Sequence, residues 1–252
     1  MSVFKETMLF FKRKVMETVR QPMWLFMGLS TPLIYIVLFA PLLKNMGYPP
    51  RTTVEVLDSF VPGLLTLLAF GSGMGAGWTM IWELQSGVIE RLRVTPASRF
   101  SMLMGGVLRD VLMFIIPSVL VIAICSFLGF HVHFAGLLVL LLLLCLLTAI
   151  ISAWSASLGL IFKEVGGLAA VVTGLQLPLT LLSGVLLPLS LGPDWLRAIA
   201  HANPLYYTVE ASRVLADGII SSAETINAFA VMIPLTILVL AWATRVYRKA
   251  VA

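Results

Sequence analysis

The sequence has few residues of the kinds that build soluble catalytic or metal sites. Of its 252 residues, two are cysteine, three are histidine and 12% are charged, whereas a soluble protein has about 25% charged residues. Cys125 and Cys145 both lie inside apolar segments, so we expect neither a disulfide framework nor a zinc site. His131, His133 and His201 fall in predicted turns, and histidines without an acidic or cysteine companion are more often surface residues than metal ligands.

Catalytic and nucleotide-binding motifs are also missing. Neither His-Glu-x-x-His nor Gly-x-Ser-x-Gly occurs, which argues against an intramembrane hydrolase. The glycines at 71, 73, 75 and 77 lack the lysine and the preceding strand of a phosphate-binding loop. Their spacing instead forms small-xxx-small pairs, which are typical of close contacts between membrane helices. We therefore expect a chain that is not an enzyme, with no cofactor or metal of its own.

Long apolar segments make up most of the sequence. Hydrophobic residues make up 60% of the chain and the mean hydropathy is +1.01. Because about 20 apolar residues cross a bilayer, the uncharged stretches predict an all-α membrane protein with one transmembrane domain over 1–252 and six transmembrane helices. The predicted spans are 23–43, 59–81, 107–128, 135–161, 166–188 and 226–246.

Residues 1–22 alternate basic and apolar side chains. Phe4, Met8, Phe11, Val15 and Val19 recur at helical spacing, which predicts an interfacial helix with its apolar side in the membrane and its basic side toward anionic headgroups. A signal peptide is the alternative, but the apolar stretch that follows is as long as a true span and lacks a small-residue cleavage site.

Basic residues predict the orientation. With the N-terminus inside, thirteen Lys and Arg lie on the inner side and four on the outer side, so we expect a multi-pass protein of the plasma (inner) membrane with both termini cytoplasmic. The net charge of +5 does not indicate a nucleic-acid partner, because the basic residues lie in short clusters beside apolar segments rather than on one soluble face.

The segment 83–99 is the most polar part of the first half of the chain. Leu84, Val88 and Leu92 recur every four residues, with charged residues between them, which predicts a short amphipathic helix. Pro96 should end it, and Thr95 or Ser98 could cap the helix that follows. The alternative is a solvated loop whose arginines merely follow the positive-inside rule.

The segment contains Glu83, Gly87, Glu90-Arg91, Thr95-Pro96 and Arg99. This run resembles the cytoplasmic loop of type 2 ABC-transporter permeases, the membrane subunits of ATP-driven exporters, and most of all the daunorubicin/doxorubicin-resistance branch. The resemblance implies that the loop is a coupling helix that docks on a separate ATPase subunit. The coupling residues implied are Glu83, Gly87, Glu90, Arg91, Thr95, Pro96 and Arg99, with a smaller docking turn at Lys163 and Glu164. It also implies two ATPase copies, which bind ATP and Mg, and a second permease copy that makes a homodimer or a pair of close homologues.

The segment 190–222 is too polar for a simple span and too apolar for a free loop. It resembles the external re-entrant helices that precede the last span in the same family. Glu210 and Arg213 are three residues apart and could pair, which would lower the cost of charge at membrane depth; an interfacial helix with its charges in water is the alternative. The residues singled out in this segment are Trp195, Asn203, Pro204, Tyr206, Glu210 and Arg213.

The function predicted from these observations is that of an ABC exporter permease. The apolar, aromatic and Met-rich helices indicate an amphipathic cargo such as a drug, an antibiotic or a lipid-like compound, as in multidrug efflux and antibiotic resistance. A lipid-linked glycan is an alternative cargo, and an ion-coupled secondary carrier is an alternative function. The near absence of charge within the predicted spans argues against the carrier.

Overall fold

A computed structural model describes residues 2–21, 23–45, 52–93, 95, 97–185 and 193–250. All elements in these ranges are helices, as the composition predicts. They are α1 Val3–Val19, α2 Met23–Asn45, α3 Thr53–Met74, α4 Ala76–Gln85, α5 Val88–Arg93, α6 Arg99–Phe127, α7 Phe134–Phe162, α8 Val165–Leu181, α9 Asp194–Ala200, α10 Pro204–Ala216 and α11 Ala223–Ala250. Pro96 and parts of the predicted segments 166–188 and 190–222 lie outside the described residues.

Among the residues that the structure describes, four helical segments are long and apolar enough to cross a membrane. These segments are Val54–Gln85, Arg99–Phe127, Phe134–Phe162 and Ala223–Ala250. A shorter apolar helix is Val165–Leu181, and Gly28–Leu38 is the apolar part of α2 whose side chains the structure describes. The chain is therefore a multi-pass, all-α membrane protein, and the count of six spans stays a prediction.

Helix α7 lies at the centre of the bundle. It packs against α3, α4, α6, α8, α10 and α11, and Leu140, Leu143, Leu144 and Leu147 are fully buried there. Such a leucine-rich face supplies tight packing, which is the main force between helices once they are in lipid. The other helices are arranged around this one.

Helices α3 and α4 follow one another with a break at Gly75. Ser155 of α7 compensates for the break, because its hydroxyl donates to the Met74 carbonyl at 2.6 Å and accepts from the Gly77 N–H at 3.0 Å. Backbone groups freed by a broken helix need such partners inside a membrane. The break is therefore stabilised by the neighbouring helix.

The glycines of this region serve two different surfaces. A Cβ on Gly73 or Gly77 would lie within 3 Å of α7 atoms, whereas a Cβ on Gly71 would meet nothing within 4 Å. One of the two small-xxx-small pairs thus allows close helix packing, while the other, Gly71 and Gly75, lines a cavity.

Helix α1 packs along α6. Phe4, Met8 and Val19 are exposed, as expected for a helix with an apolar side in the membrane interface. Its basic residues are divided, however, because Lys14 is buried inside the protein instead of facing headgroups. The reason is an acidic partner on α4.

Candidate functional site

The acidic partner of Lys14 is Glu83, in the last turn of α4. One carboxylate oxygen accepts from the Arg13 guanidinium at 2.8 Å and the other accepts from the Lys14 ammonium at 2.8 Å. Only 2% of Glu83 is exposed. The sequence predicts this residue as part of a cytoplasmic docking loop, but the structure places it inside the protein, where it joins α4 to α1.

A second buried ion pair lies on α6. Arg109 contacts the Asp110 carboxylate at 3.1 Å, and Ser152 of α7 donates to the other oxygen of that carboxylate. None of the residues singled out in the sequence is Arg109 or Asp110. Because α6 begins at Arg99, Asp110 lies about three turns inside the helix. A helix start just after Pro96 was the signal that would have placed this pair well inside α6.

The two ion pairs are neighbours. Lys14, Arg109, Asp110 and Tyr247 line the same small cavity, and the Tyr247 hydroxyl of α11 contacts the Met80 sulfur at 3.9 Å. The group comprising Arg13, Lys14, Glu83, Arg109 and Asp110 is hereafter the charged cluster. It contains three cations and two carboxylates, and it connects α1, α4 and α6.

Helix α5 follows α4 after a sharp turn. Gly87 has a φ of +70°, which is a conformation that favours glycine. The turn divides the single amphipathic helix predicted over 84–92 into two. Ile89 is buried and Val88 only half-buried, so the buried side is rotated by one residue from the predicted stripe. Glu90 and Arg91 are exposed side by side at the surface.

The chain after α5 returns to the bundle through side-chain contacts. The Thr95 hydroxyl donates to the Leu92 carbonyl at 2.7 Å, and Arg99 donates to the same carbonyl at 3.3 Å. Ser98 precedes α6 without a side-chain cap; its N–H donates to the Glu6 carboxylate of α1 at 2.9 Å. Helix α1 is therefore fixed both to the end of α4 and to the start of α6.

The predicted minor docking turn lies at the same end of the bundle. Contacts between Ala69 and Thr148, and between Met74 and Ser155, show that α3–α4 and α7 run parallel. The α7–α8 turn thus lies at the end where α5 lies. Lys163 adopts a left-handed conformation there with φ 58°, and Glu164 is exposed.

The residues singled out in the segment 190–222 lie at the opposite end. Asn203 is buried and precedes α10, whose first residue is Pro204. Its side-chain oxygen accepts from the Leu205 N–H at 3.0 Å, and its side-chain amide donates to the Leu179 carbonyl at 2.8 Å. Arg213 pairs with Glu210 at 3.1 Å.

Arg213 also donates to the Gly184 carbonyl at 2.7 Å. It thereby ties α10 to the turn after α8. Tyr206 packs edge-on against His201, while Trp195 on α9 is 64% exposed. These contacts join α9, α10 and the end of α8 into one structural unit.

A cavity of about 660 Å³ lies among α1, α2, α3, α4, α6 and α8. Leu64, Leu68, Phe70 and Met113 form part of its apolar wall. Its polar residues are Thr18, Thr31, Tyr35, Ser72, Thr79, Arg109, Asp110, Gln176 and Thr180. The volume lies within the range of small-molecule sites, about 300 to 1,000 Å³. The charged cluster and the break at Gly75 thus both border a space large enough for a ligand.

Known proteins resemble this chain in sequence. Residues 5–216 match the family described as ABC-2 type transporter. The chain is 31% identical over 214 residues to the ycf38 transport permease of Cyanophora paradoxa, an alignment that covers 84% of this chain and 74% of that protein. It is 26% identical over 189 residues to the daunorubicin resistance ABC transporter permease protein DrrB1 of Streptomyces coeruleorubidus, with coverage of 74% and 66%. The chain belongs to the ABC-2 type transporter family and is a transport permease subunit.

Proposed function

We propose that this permease is the membrane subunit of an ATP-driven exporter for a hydrophobic or amphipathic compound. The observation on which this rests is the position of α5, a short helix at one end of the bundle that exposes Glu90 and Arg91. Exposed charges of this kind can make charge-assisted hydrogen bonds to a protein partner. The partner proposed is an ABC ATPase, present as two copies that bind ATP and Mg.

The connection from α5 to the cavity supports this function. Helix α5 joins α4 through the Gly87 turn, and α4 extends about 15 Å to the break at Gly75, which lines the cavity. Glu83 fixes the end of α4 to α1. A movement of α5 imposed by ATPase closure would therefore move α4 and α1 together and reshape the cavity wall at Gly75.

A second permease copy completes the proposed transporter. Two copies in closed symmetry can enclose a path between them. The copies would be identical or close homologues, in the plasma membrane with their termini in the cytoplasm. One relative is described as a daunorubicin resistance permease, which supports a drug-like or lipid-like cargo; a lipid-linked glycan is the alternative.

An ion-coupled secondary carrier is the competing function, and the buried pair Arg109 and Asp110 favours it. Ionisable residues inside membrane segments mark proton or ion pathways in many carriers. In the proposed exporter the same pair is a structural contact beside the cavity. The two functions differ in their energy source.

The test is purification of the permease from native membranes with its associated proteins. We expect an ABC ATPase to co-purify, ATP hydrolysis to depend on that subunit, and export into vesicles to require ATP. The permease alone should neither bind nor hydrolyse ATP. Export driven by a proton gradient without ATP would contradict the proposal and support the carrier.

A further inference from the structure

The charged residues of the 660 Å³ cavity lie at one side of it. Arg109 and Asp110 lie where the cavity meets the charged cluster, while Leu64, Leu67, Leu68 and Pro117 form a wall farther along α3 and α6. Uncharged polar residues, among them Thr31, Tyr35 and Gln176, also line the cavity. Arg109 precedes Pro117 by eight residues, or about 12 Å along α6. The cavity therefore has a charged region and, about the length of a short hydrocarbon chain away, an uncharged and mainly apolar wall.

The charged region has an excess of hydrogen-bond donors. Both oxygens of Asp110 have partners, one from Arg109 and the other from Ser152. Arg109 has five N–H donors, yet its bonds in the described part of the chain are the contact with Asp110 and a long one of 3.4 Å to the Thr79 hydroxyl. Its Nε is buried without a hydrogen-bond partner. The acidic residue is satisfied, and the basic residue is not.

The charges around this region are balanced in number, because Glu17 pairs with Arg13 at 3.5 Å beside the three cations and two carboxylates of the charged cluster. Arg109 is the cation that lines the cavity, and an anion there would accept from the guanidinium donors that Asp110 and Thr79 leave unused. A cationic head would meet an Asp110 whose oxygens are already occupied.

We propose that the cavity binds an amphiphile with an apolar body and an anionic head, a phosphate or a carboxylate, and that Arg109 binds the head. The planar guanidinium suits both groups because it can donate two parallel hydrogen bonds. This inference rests on the proposed export function, for which it names the substrate class: the occupant is the cargo, and its head lies at the Arg109 region while its chain lies along Leu64 and Pro117.

Photoaffinity labelling of the permease in nanodiscs of a neutral lipid tests the proposal. The probes are three dodecyl chains with a diazirine in the chain, which differ only in their heads: phosphate, trimethylammonium and an uncharged maltoside. We expect the phosphate probe to label peptides of α3 and α6 that line the cavity. The trimethylammonium probe should label them about ten-fold less, the change expected for one lost charge-assisted hydrogen bond. Equal labelling by the two charged probes would overturn the assignment.

Three variants locate the probe. Arg109→Lys keeps the charge but loses the planar fork, and should reduce phosphate labelling about ten-fold. Gly71→Leu should abolish it, because the side chain would enter the cavity from a position with nothing within 4 Å. Gly174→Leu is the matched control, since a Cβ there also meets open space but Gly174 does not line the cavity. Unchanged labelling in both Arg109→Lys and Gly71→Leu would refute the site.

A last measurement separates cargo from a resident membrane lipid. With the ATPase partner reconstituted, ATP turnover should lower labelling by the phosphate probe, because cargo leaves the cavity. Labelling that ATP does not change would show a resident lipid and overturn the cargo assignment. Labelling itself needs no ATPase, so the comparison of the probes remains valid even if export turns out not to be driven by ATP. Conversely, equal labelling by the probes would reject the anionic cargo without rejecting ATP-driven export.

Discussion

Glu83 is held by two cations that lie 70 and 69 residues earlier in the chain. The segment 83–99 stands out in the sequence as polar. The contact itself could not be predicted, because no local pattern relates an acid on α4 to a base on α1. Arg109 and Asp110 were missed for a similar reason. They are adjacent in the sequence, but their burial depends on Thr79 of α4 and Ser152 of α7, which lie far from them in the chain.

Replacing Glu83 by Gln should destabilise the protein. The substitution leaves Lys14 buried without its negative partner, and breaking a buried pair in this way costs about 3 kcal/mol or more. Thermal unfolding in detergent should show a clear fall in midpoint temperature. Glu90→Gln is the matched control, since Glu90 is exposed and a surface change should stay within about 0.5 kcal/mol.

A second variant tests whether the loss of stability in Glu83→Gln comes from the uncompensated charge or from altered side-chain packing. Glu83→Gln combined with Lys14→Met removes both buried charges and leaves Arg13, whose side chain is about one-third exposed. The double variant should be more stable than Glu83→Gln alone, because the uncompensated charge is gone. If it is less stable, the charges are not the reason for the contact.

At the scale of helices, the breaks inside the long apolar elements are what the local sequence pattern hides. The break at Gly75 has no proline, and it is stabilised by Ser155 on another helix. The turn at Gly87 was likewise hidden, because Leu84, Val88 and Leu92 fit one continuous helix. Breaks that depend on tertiary partners leave little signal in the local pattern.

The two glycine surfaces of α3 and α4 should respond differently to substitution. Gly77→Leu should prevent assembly of the bundle, because a Cβ there would lie 2.7 Å from the Ser155 carbonyl oxygen. Gly71→Leu should leave the protein folded, since its Cβ meets open space. Size-exclusion chromatography in detergent measures the yield of monodisperse protein. Equal yields for the two variants would contradict the packing described for α4 and α7.

Helix α5 should matter for coupling and not for folding. Glu90→Ala or Arg91→Ala should abolish cargo-stimulated ATP hydrolysis and export, because loss of one partner of a desolvated charge pair costs about 2 to 5 kcal/mol at an interface. Both residues are exposed in the permease, so the variants should reach the membrane in normal amounts. Normal transport by both variants would show that the loop only anchors the topology.

At the scale of the whole molecule, composition alone predicts the class of protein, and the family match confirms it. The six predicted spans correspond to α2, α3 with α4, α6, α7, α8 and α11, and among these α8 is the shortest with 17 residues. The cavity could not be predicted, because its lining comes from six helices far apart in sequence.

Both termini should face the cytoplasm. The thirteen basic residues on the predicted inner side favour this orientation, and α1 lies at the same end of the bundle as α5. Cysteines introduced at Ser2 and near Lys249 should resist a membrane-impermeant thiol reagent in intact cells and react after lysis. A reaction at either position before lysis would overturn the orientation.

The contact between Glu83 and α1 also bears on how the protein is made. Synthesis proceeds from the N-terminus, so Arg13 and Lys14 are already present when Glu83 leaves the ribosome. Asp110 likewise follows its neighbour Arg109 immediately, although Ser152 comes 42 residues later. Each of the two buried acids of the charged cluster is therefore synthesised after a cation that can neutralise it. In this order, neither carboxylate has to enter the membrane before its counter-charge exists.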